Sequence, residues 1–269
     1  MSRVAPARHR RYLLDNAAAQ AAQRFRALSR LFDAVTRGHL DALGIAAGWR
    51  CWEVGAGDIA IPAWMAERVG ALGHVLATDI DTSWLRAERG NVEVRTHDVA
   101  ADAPPAGPFD LVHARLVLSH VPNRDEGLRR MASVLRPGGW VLIEDFDPLS
   151  ASEACPAPRS VEQLRANLIR RGFLELLAAR GADLRYGRKL ARLLKQLGLE
   201  DVGTSAFFPS IDAATIDLER ANVAQVAPSL VAGGYASPAD IESHLHDLEA
   251  RQIDVSMPPL ISAWGQRAL

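Results

Sequence analysis

The residues of this 269-residue chain with the clearest chemical meaning are Glu53-Val54-Gly55-Ala56-Gly57. The run Arg50-Cys51-Trp52-Glu53-Val54 reads as a short strand that ends on the two glycines. Glycine there lets the backbone turn sharply and lie against a ligand, and the following helix brings unpaired N–H groups close by. Asp79 ends the next strand, at about the 20-residue interval at which an acid accepts hydrogen bonds from both hydroxyls of a ribose. A Gly-x-Gly alone is common in loops; strand, Gly-x-Gly, helix, strand and acid in that order is far more specific. A nicotinamide-dependent oxidoreductase uses the same arrangement, and two residues argue for another ligand. Glu53 ahead of the glycines suits a ligand that carries positive charge rather than a pyrophosphate. Asp98, in Thr96-His97-Asp98-Val99, ends a third strand where its carboxylate is placed to accept from an adenine amino group.

Positioning these residues takes a regular scaffold. Leu14, Ala18, Ala21, Phe25, Leu28, Phe32 and Val35 alternate spacings of four and three, which predicts a helix from about Tyr12 to Val35. A strand and helix rhythm follows. Strands are expected at Arg50 to Val54, His74 to Thr78, Val92 to Thr96 and Phe109 to His113, with helices through Trp64 to Val69 and from Arg124 to Leu135. Pro137-Gly138-Gly139 reads as a tight turn delivering a fifth strand, Trp140 to Ile143. Such alternation predicts βαβ units and a parallel sheet. In the second half, Val161, Leu164, Leu168, Phe173 and Leu176 mark one helix, and Leu190, Leu193, Leu194 and Leu197 another that stops at Gly198. A strand near Gly203 to Ser210, helices near Ala213 to Val226 and Asp240 to Ile253, and a closing strand at Leu260 to Trp264 complete the pattern. The chain reads as one domain over 1–269. It has an N-terminal helical lid at 9–44, a ligand-binding core at 45–150, helical insertions at 156–198 and 212–256, and closing strands within 199–211 and 258–267.

Composition narrows the function. The chain is 48% hydrophobic and 23% charged, and 31 basic against 32 acidic residues leave a net charge of -1. Nucleic-acid partners usually require a strongly basic face, so a small-molecule substrate is the expectation, with no nucleic acid. The two cysteines, Cys51 and Cys155, give no disulfide framework, and no run approaches a membrane span; a cytoplasmic protein without a membrane partner is expected. His244 and His246 are two apart on a helix and face different ways, so no metal site is expected.

Together the segments Cys51 to Gly57, Leu76-Ala77-Thr78-Asp79-Ile80-Asp81, His97-Asp98, Phe109-Asp110-Leu111-Val112 and Val134-Leu135-Arg136-Pro137-Gly138-Gly139 resemble, in order and spacing, the class I S-adenosylmethionine-dependent methyltransferases. The likeness is to the small-molecule branch that includes ubiquinone-type and natural-product enzymes. It implies an α/β, Rossmann-like fold: a seven-stranded, mostly parallel sheet of order 3-2-1-4-5-7-6 with the last strand antiparallel, helices on both faces and an added helical lid. It implies S-adenosylmethionine as cofactor. Glu53, Gly55, Ala56 and Gly57 would face its methionine and sulfonium end, Asp79 its ribose, Ile80 one adenine face, and Asp98 with the Val99 backbone the adenine edge. His113 to Arg115 would line the methionine side, and Tyr12 would reach over the cofactor from the lid.

Methyl transfer from a sulfonium needs alignment, exclusion of water and sometimes a base. His120, in Leu118-Ser119-His120-Val121-Pro122, is the candidate base for a hydroxyl acceptor; its alternative role is to cap the following loop. His113 reads as a packing residue, while Glu144, Asp145 and Asp147 read as solvated loop carboxylates, one of which could orient a substrate. Trp64, Trp84 and Trp140 read as core. The acceptor is expected to be small and hydrophobic, methylated on oxygen, and a homodimer is compatible with the pattern. One departure stands out: Ile59 occupies the place of the third glycine common in the family. Either Ile59 packs under the helix and binding survives, or the cofactor loop is altered and the protein is a non-methylating relative, a cyclase, isomerase or binding protein.

Overall fold

Short runs of β-branched and apolar residues bounded by glycine, asparagine or aspartate form the strands, and leucine- and alanine-rich stretches form the helices between them. The computed structural model describes residues 13–16 and 18–269, so the expected role of Tyr12 lies outside the described residues. In chain order the elements are α1 (Ala21–Ala42), β1 (Arg50–Val54), α2 (Ala60–Val69), β2 (His74–Asp79), β3 (Val92–Thr96), β4 (Phe109–Arg115), α3 (Arg124–Ser133) and β5 (Leu135–Phe146). They continue with α4 (Val161–Ala179), α5 (Leu190–Gln196), β6 (Glu200–Phe207), α6 (Ala213–Ala232), α7 (Pro238–Glu249) and β7 (Leu260–Gln266). The strands build one seven-stranded sheet of order β3-β2-β1-β4-β5-β7-β6. Only the pairings that involve β7 are antiparallel. This is the expected Rossmann-like order, with the last strand reversed.

The chain forms two compact units. One contains the whole sheet and spans Phe32–Asp147, Arg185–Phe207 and Leu260–Leu269. Alternation along its strands sends side chains to two faces. Trp52, Val54, Val112, Ala114, Val141 and Ile143 pack on one face with Met131 of α3 and Leu190 and Leu194 of α5. Cys51, Leu111 and Leu142 pack on the other with Leu40 of α1 and Ile61, Met65 and Val69 of α2. On this second face Trp264 stands opposite both Leu142 and Gly203. Gly203 makes that possible: a Cβ there would lie 2.4 Å from the indole ring.

The other unit comprises the described residues up to Leu31 with Pro148–Leu184 and Phe208–Pro259. Ile169, Leu174 and Leu177 of α4 pack there with Val223, Val226 and Leu230 of α6 and Ile241 of α7. The buried Arg170 donates to Glu219 Oε2 at 2.9 Å.

Four expectations change. The first helix begins at Ala21 rather than near Tyr12. Asp15 and Asn16 favour turns, and the Arg24 guanidinium holds the Leu14 carbonyl (3.1 Å) and Asn16 Oδ1 (2.6 Å), fixing a turn ahead of the helix. Its other end runs past Val35 to Ala42, because the buried stripe Phe32, Thr36, Leu40 turns polar in the middle. Pro137-Gly138-Gly139 is not a turn between elements but a bulge inside β5. Pairing with β4 jumps from Phe109↔Leu135 to Leu111↔Trp140, and the Gly138 N–H and Gly139 carbonyl bond to Arg267. In α4, Val161, Leu164 and Leu168 are exposed, because the buried face is built from Ala166, Ile169, Arg170 and Gly172. Trp84 is 38% exposed, whereas Trp64 and Trp140 pack against the core as expected.

Gly203→Ala pushes a methyl group into the Trp264 ring and should destabilise the protein by about 1–3 kcal/mol. Urea unfolding checks this: the midpoint should fall with an unchanged slope, and an unchanged midpoint would mean that Trp264 repacks without cost.

Candidate active site

The carboxyl ends of β1 and β2 bring the motif residues together. Gly55 and Gly57 both have left-handed backbone (φ 63° and 65°). At Gly55 a side chain is barred twice, since a Cβ would also lie 2.3 Å from Val117 Cγ2. The turn is stitched to β2: Ala56 N–H donates to the Thr78 carbonyl (2.9 Å) and Gly57 N–H to Asp79 Oδ2 (2.9 Å). Asp79 Oδ1 accepts from the Asp81 N–H at 3.0 Å. Asp79 is buried, and burial raises its pKa against the pull of the backbone N–H groups of Asp81, Gly57 and Ile80. Each of its oxygens thus accepts at least one backbone bond.

Ile59 sits just before α2 with ordinary right-handed backbone (φ −86°) and packs against the cluster around Ile61 and Met65. The loop therefore needs no left-handed residue at this position, and the apolar side chain serves the core.

Beyond β3, Asp98 anchors a turn. Its Oδ1 accepts from the Ala100 N–H (2.9 Å) and its own N–H donates to Asp102 Oδ2 (2.9 Å). Val99 is buried in the core beside Leu118 and Leu128. His97 stacks edge-on against Trp52 (5.6 Å), and its Nε2 lies 2.9 Å from the Ala103 carbonyl. Ile80 is half-buried next to Asp79.

Glu144, Asp145 and Asp147, expected as solvated loop carboxylates, are buried, and His113, buried as expected of a packing residue, is also paired with two carboxylates. His113 Nδ1 lies 2.6 Å from Glu53 Oε2, and its Nε2 lies 3.3 Å from Glu144 Oε2. Burial opposes charge on this ring, but the Glu53 carboxylate and the hydrogen bonds to Glu144 and Glu53 prevail and raise its pKa to about 9. Burial likewise opposes charge on Glu144, yet the bonds from His113 and His39 hold its pKa well below the usual carboxylate range. Glu144 also accepts from Thr36 Oγ1 and from Ser262 Oγ (2.7 Å), and His39 Nδ1 lies 3.2 Å from its Oε1. Arg115 donates to Thr36 Oγ1 (2.9 Å) and Asp33 Oδ1 (2.8 Å), and Ser205 Oγ lies 2.9 Å from His39 Nε2. The strand register explains the assembly: Glu53 pairs with His113, and Arg115, Glu144, Ser262 and Ser205 stand side by side across β4, β5, β7 and β6. These partners come from five strands and α1, and only their convergence on one sheet face reveals them. The one hint in sequence is the polar break at Thr36 and His39 in an otherwise apolar stripe.

His120 closes a 3-10 turn, Leu118–His120, that follows β4. Asp145 holds this turn through the Ser119 N–H (2.9 Å); burial pushes the Asp145 pKa up to about 6 despite its bonds to Ser119 and Phe146. Asp147 is held by Arg188 Nε at 2.7 Å. His244 is buried with Nε2 3.9 Å from Glu219, and among the described residues no group of three His, Cys, Asp or Glu is placed to hold a metal ion.

The sheet order, the Gly-x-Gly turn and the acid-capped second strand define a class I methyltransferase fold. Residues 7–204 match the family described as methyltransferase domain, and the chain belongs to that family. It is 32% identical over 146 residues to methyltransferase str3 of Strobilurus tenacellus, covering 53% of this chain and 50% of that one. It is 33% identical over 125 residues to the ubiquinone/menaquinone biosynthesis C-methyltransferase UbiE of Vibrio vulnificus, covering 41% and 48%. The chain thus spans about half the length of the curated relatives it matches. Among solved structures, the Haemonchus contortus phosphoethanolamine N-methyltransferase 2 in complex with S-adenosyl-L-methionine shares the fold with a TM-score of 0.59 at 16% identity, covering 96% of this chain and 60% of that one.

His113 has an ordinary pKa of 6.5 in the unfolded chain and a raised one in the fold. Its contribution to stability is therefore complete below 6.5 and lost as pH rises through about 9. The difference in unfolding free energy between the wild type and His113→Gln should shrink across that window by on the order of 2 kcal/mol. Urea titrations at several pH values measure it, and a pH-independent difference would mean that the ring is neutral in the fold.

Proposed function

We propose that the protein is an S-adenosylmethionine-dependent methyltransferase acting on a small, hydrophobic organic acceptor, with oxygen as the accepting atom. The observation that carries this reading is the buried Asp79 carboxylate, tied at 2.9 Å to the Gly57 N–H. The family match supports it.

When bound, the cofactor supplies a methyl group already activated by the sulfonium sulfur. The chain's residues then hold and orient. Asp79 would take the ribose hydroxyls, Ile80 would cover one adenine face, and Asp98 with the Val99 N–H would take the adenine edge. The negative Glu53 and the backbone of Gly55, Ala56 and Gly57 face the positively charged methionine end, with His113 and Arg115 behind them. His120 would accept the proton of an acceptor hydroxyl whose oxygen takes the methyl group, while the methyl–sulfur bond of the cofactor breaks and leaves its neutral thioether. The Asp145–Ser119 bond fixes the turn that carries His120.

The second reading, a non-methylating relative, drew on Ile59. Its relaxed backbone and its packing under α2 count against an altered loop. Ile59→Gly should accordingly leave cofactor affinity unchanged or lower it, and a sharp tightening would favour the second reading.

Calorimetric titration with S-adenosylmethionine and S-adenosylhomocysteine tests the proposal directly; absence of binding at millimolar ligand would remove it. Asp79→Ala should weaken binding by about 1–3 kcal/mol, the cost of leaving buried hydroxyls without an acceptor, and an unchanged dissociation constant would mean that Asp79 does not touch the ribose.

A further inference from the structure

We propose that Glu144 is a positioning residue for the cofactor turn: through the shared His113 ring it holds the Glu53 side chain in one orientation beside Gly55 and Gly57. The inference rests on the cofactor reading above and assigns a role to a residue that makes no part of the motif.

The geometry makes the case. One imidazole faces two carboxylates, with Nδ1 at 2.6 Å from Glu53 and Nε2 at 3.3 Å from Glu144. A neutral imidazole carries one N–H and can donate to only one of them; the other carboxylate would then face a bare lone pair. Both contacts are favourable together only when the ring holds both protons.

The surroundings fix this state from every side. Arg115, on the same strand, is held by Thr36 and Asp33 of α1. Thr36, His39 and Ser262 all donate to Glu144, which leaves that carboxylate ionised and unable to take the ring's proton. With Glu144 so committed, the ring keeps a proton on each nitrogen and pins one Glu53 oxygen through Nδ1. Removing the Glu144 charge leaves the ring one carboxylate partner, so it loses its second proton at lower pH.

A second link runs through the backbone. The Glu144 carbonyl accepts from the Leu116 N–H at 2.8 Å. Leu116 has left-handed backbone (φ 59°), a conformation that a leucine holds only under constraint. The next residue, Val117, is the one whose methyl group occupies the space beside Gly55. Glu144 therefore secures the cofactor turn from its side chain through His113 and Glu53, and from its main chain through Leu116 and Val117.

Two measurements test this. Nitrogen-resolved NMR of the His113 ring in the unliganded wild type should show both nitrogens protonated up to about pH 8, well beyond the ordinary histidine value. A neutral, single-tautomer ring at neutral pH would overturn the proposal. This readout needs neither a variant nor a ligand, so it decides the matter even if a substitution fails to fold. Second, the dissociation constant of S-adenosylhomocysteine is measured for Glu144→Gln and wild type across the same pH range, and their ratio removes the ligand's own titration. The ratio should stay near one at low pH and rise above it once the pH passes the variant ring's lowered pKa, because a neutral ring still donates to Glu53 but without the charge that strengthens that bond. Ser262→Ala, which removes a hydrogen bond from the same carboxylate but no charge, should give a ratio that does not change with pH. A pH-independent ratio for Glu144→Gln with binding intact would overturn the positioning role. Failure of the wild type to bind the nucleoside at all, with a doubly protonated ring, would instead overturn the cofactor reading on which it rests.

Discussion

Burying a charge costs several kcal/mol unless it is paired and hydrogen-bonded, and the sheet of this protein buries three within reach of one ring. Glu53, His113 and Glu144 each come from a different strand, and none has an alternative partner in solvent. Their mutual distances are set by the strand spacing, so the register of β1, β4 and β5 and the ionic contacts specify one another. A one-residue slip in any of the three strands would turn its member to the opposite, apolar face. The polar set therefore acts against wrong pairings as much as for the right one, while the apolar clusters on both faces supply the bulk of the driving force.

The cofactor turn inherits its rigidity from that arrangement. Gly55 is pressed by Val117, Gly57 is tied to Asp79, and Glu53 is clamped by His113, so its three anchoring points lie just after β4, on β2 and on β4. A preorganised turn of this kind spends little binding free energy on ordering itself when a ligand arrives. The same logic covers the 3-10 turn bearing His120, which hangs from the buried Asp145.

Much of the scaffold was legible in the residues. The β3 boundaries, Val92 and Thr96, stand where alternation and flanking turn residues put them, and the acid ending β2 falls at the interval its chemistry demands. What local patterns could not display was the partner set of Glu144, which lies 108 residues from Thr36 and 118 from Ser262. A polar residue in a helical stripe looks like the end of the helix; only the carboxylate opposite lets Thr36 be buried and His39 half-buried. The β5 bulge was obscured for a related reason, since Pro-Gly-Gly is turn chemistry by composition and becomes strand only where Arg267, just beyond β7, serves as a partner. The face of α4 was misjudged because two apolar stripes lie side by side on that helix, and packing against α6 and α7 selects one.

The antiparallel last strand has a consequence for synthesis. Ser262 reaches Glu144 from β7, which follows β5 and β6 in the chain yet lies between them in the sheet. Until β7 emerges, the nascent sheet carries a carboxylate short of one donor and lacks the strand that joins β5 to β6. Vectorial folding of the sheet is thus held back at its most polar point until β7 is in place.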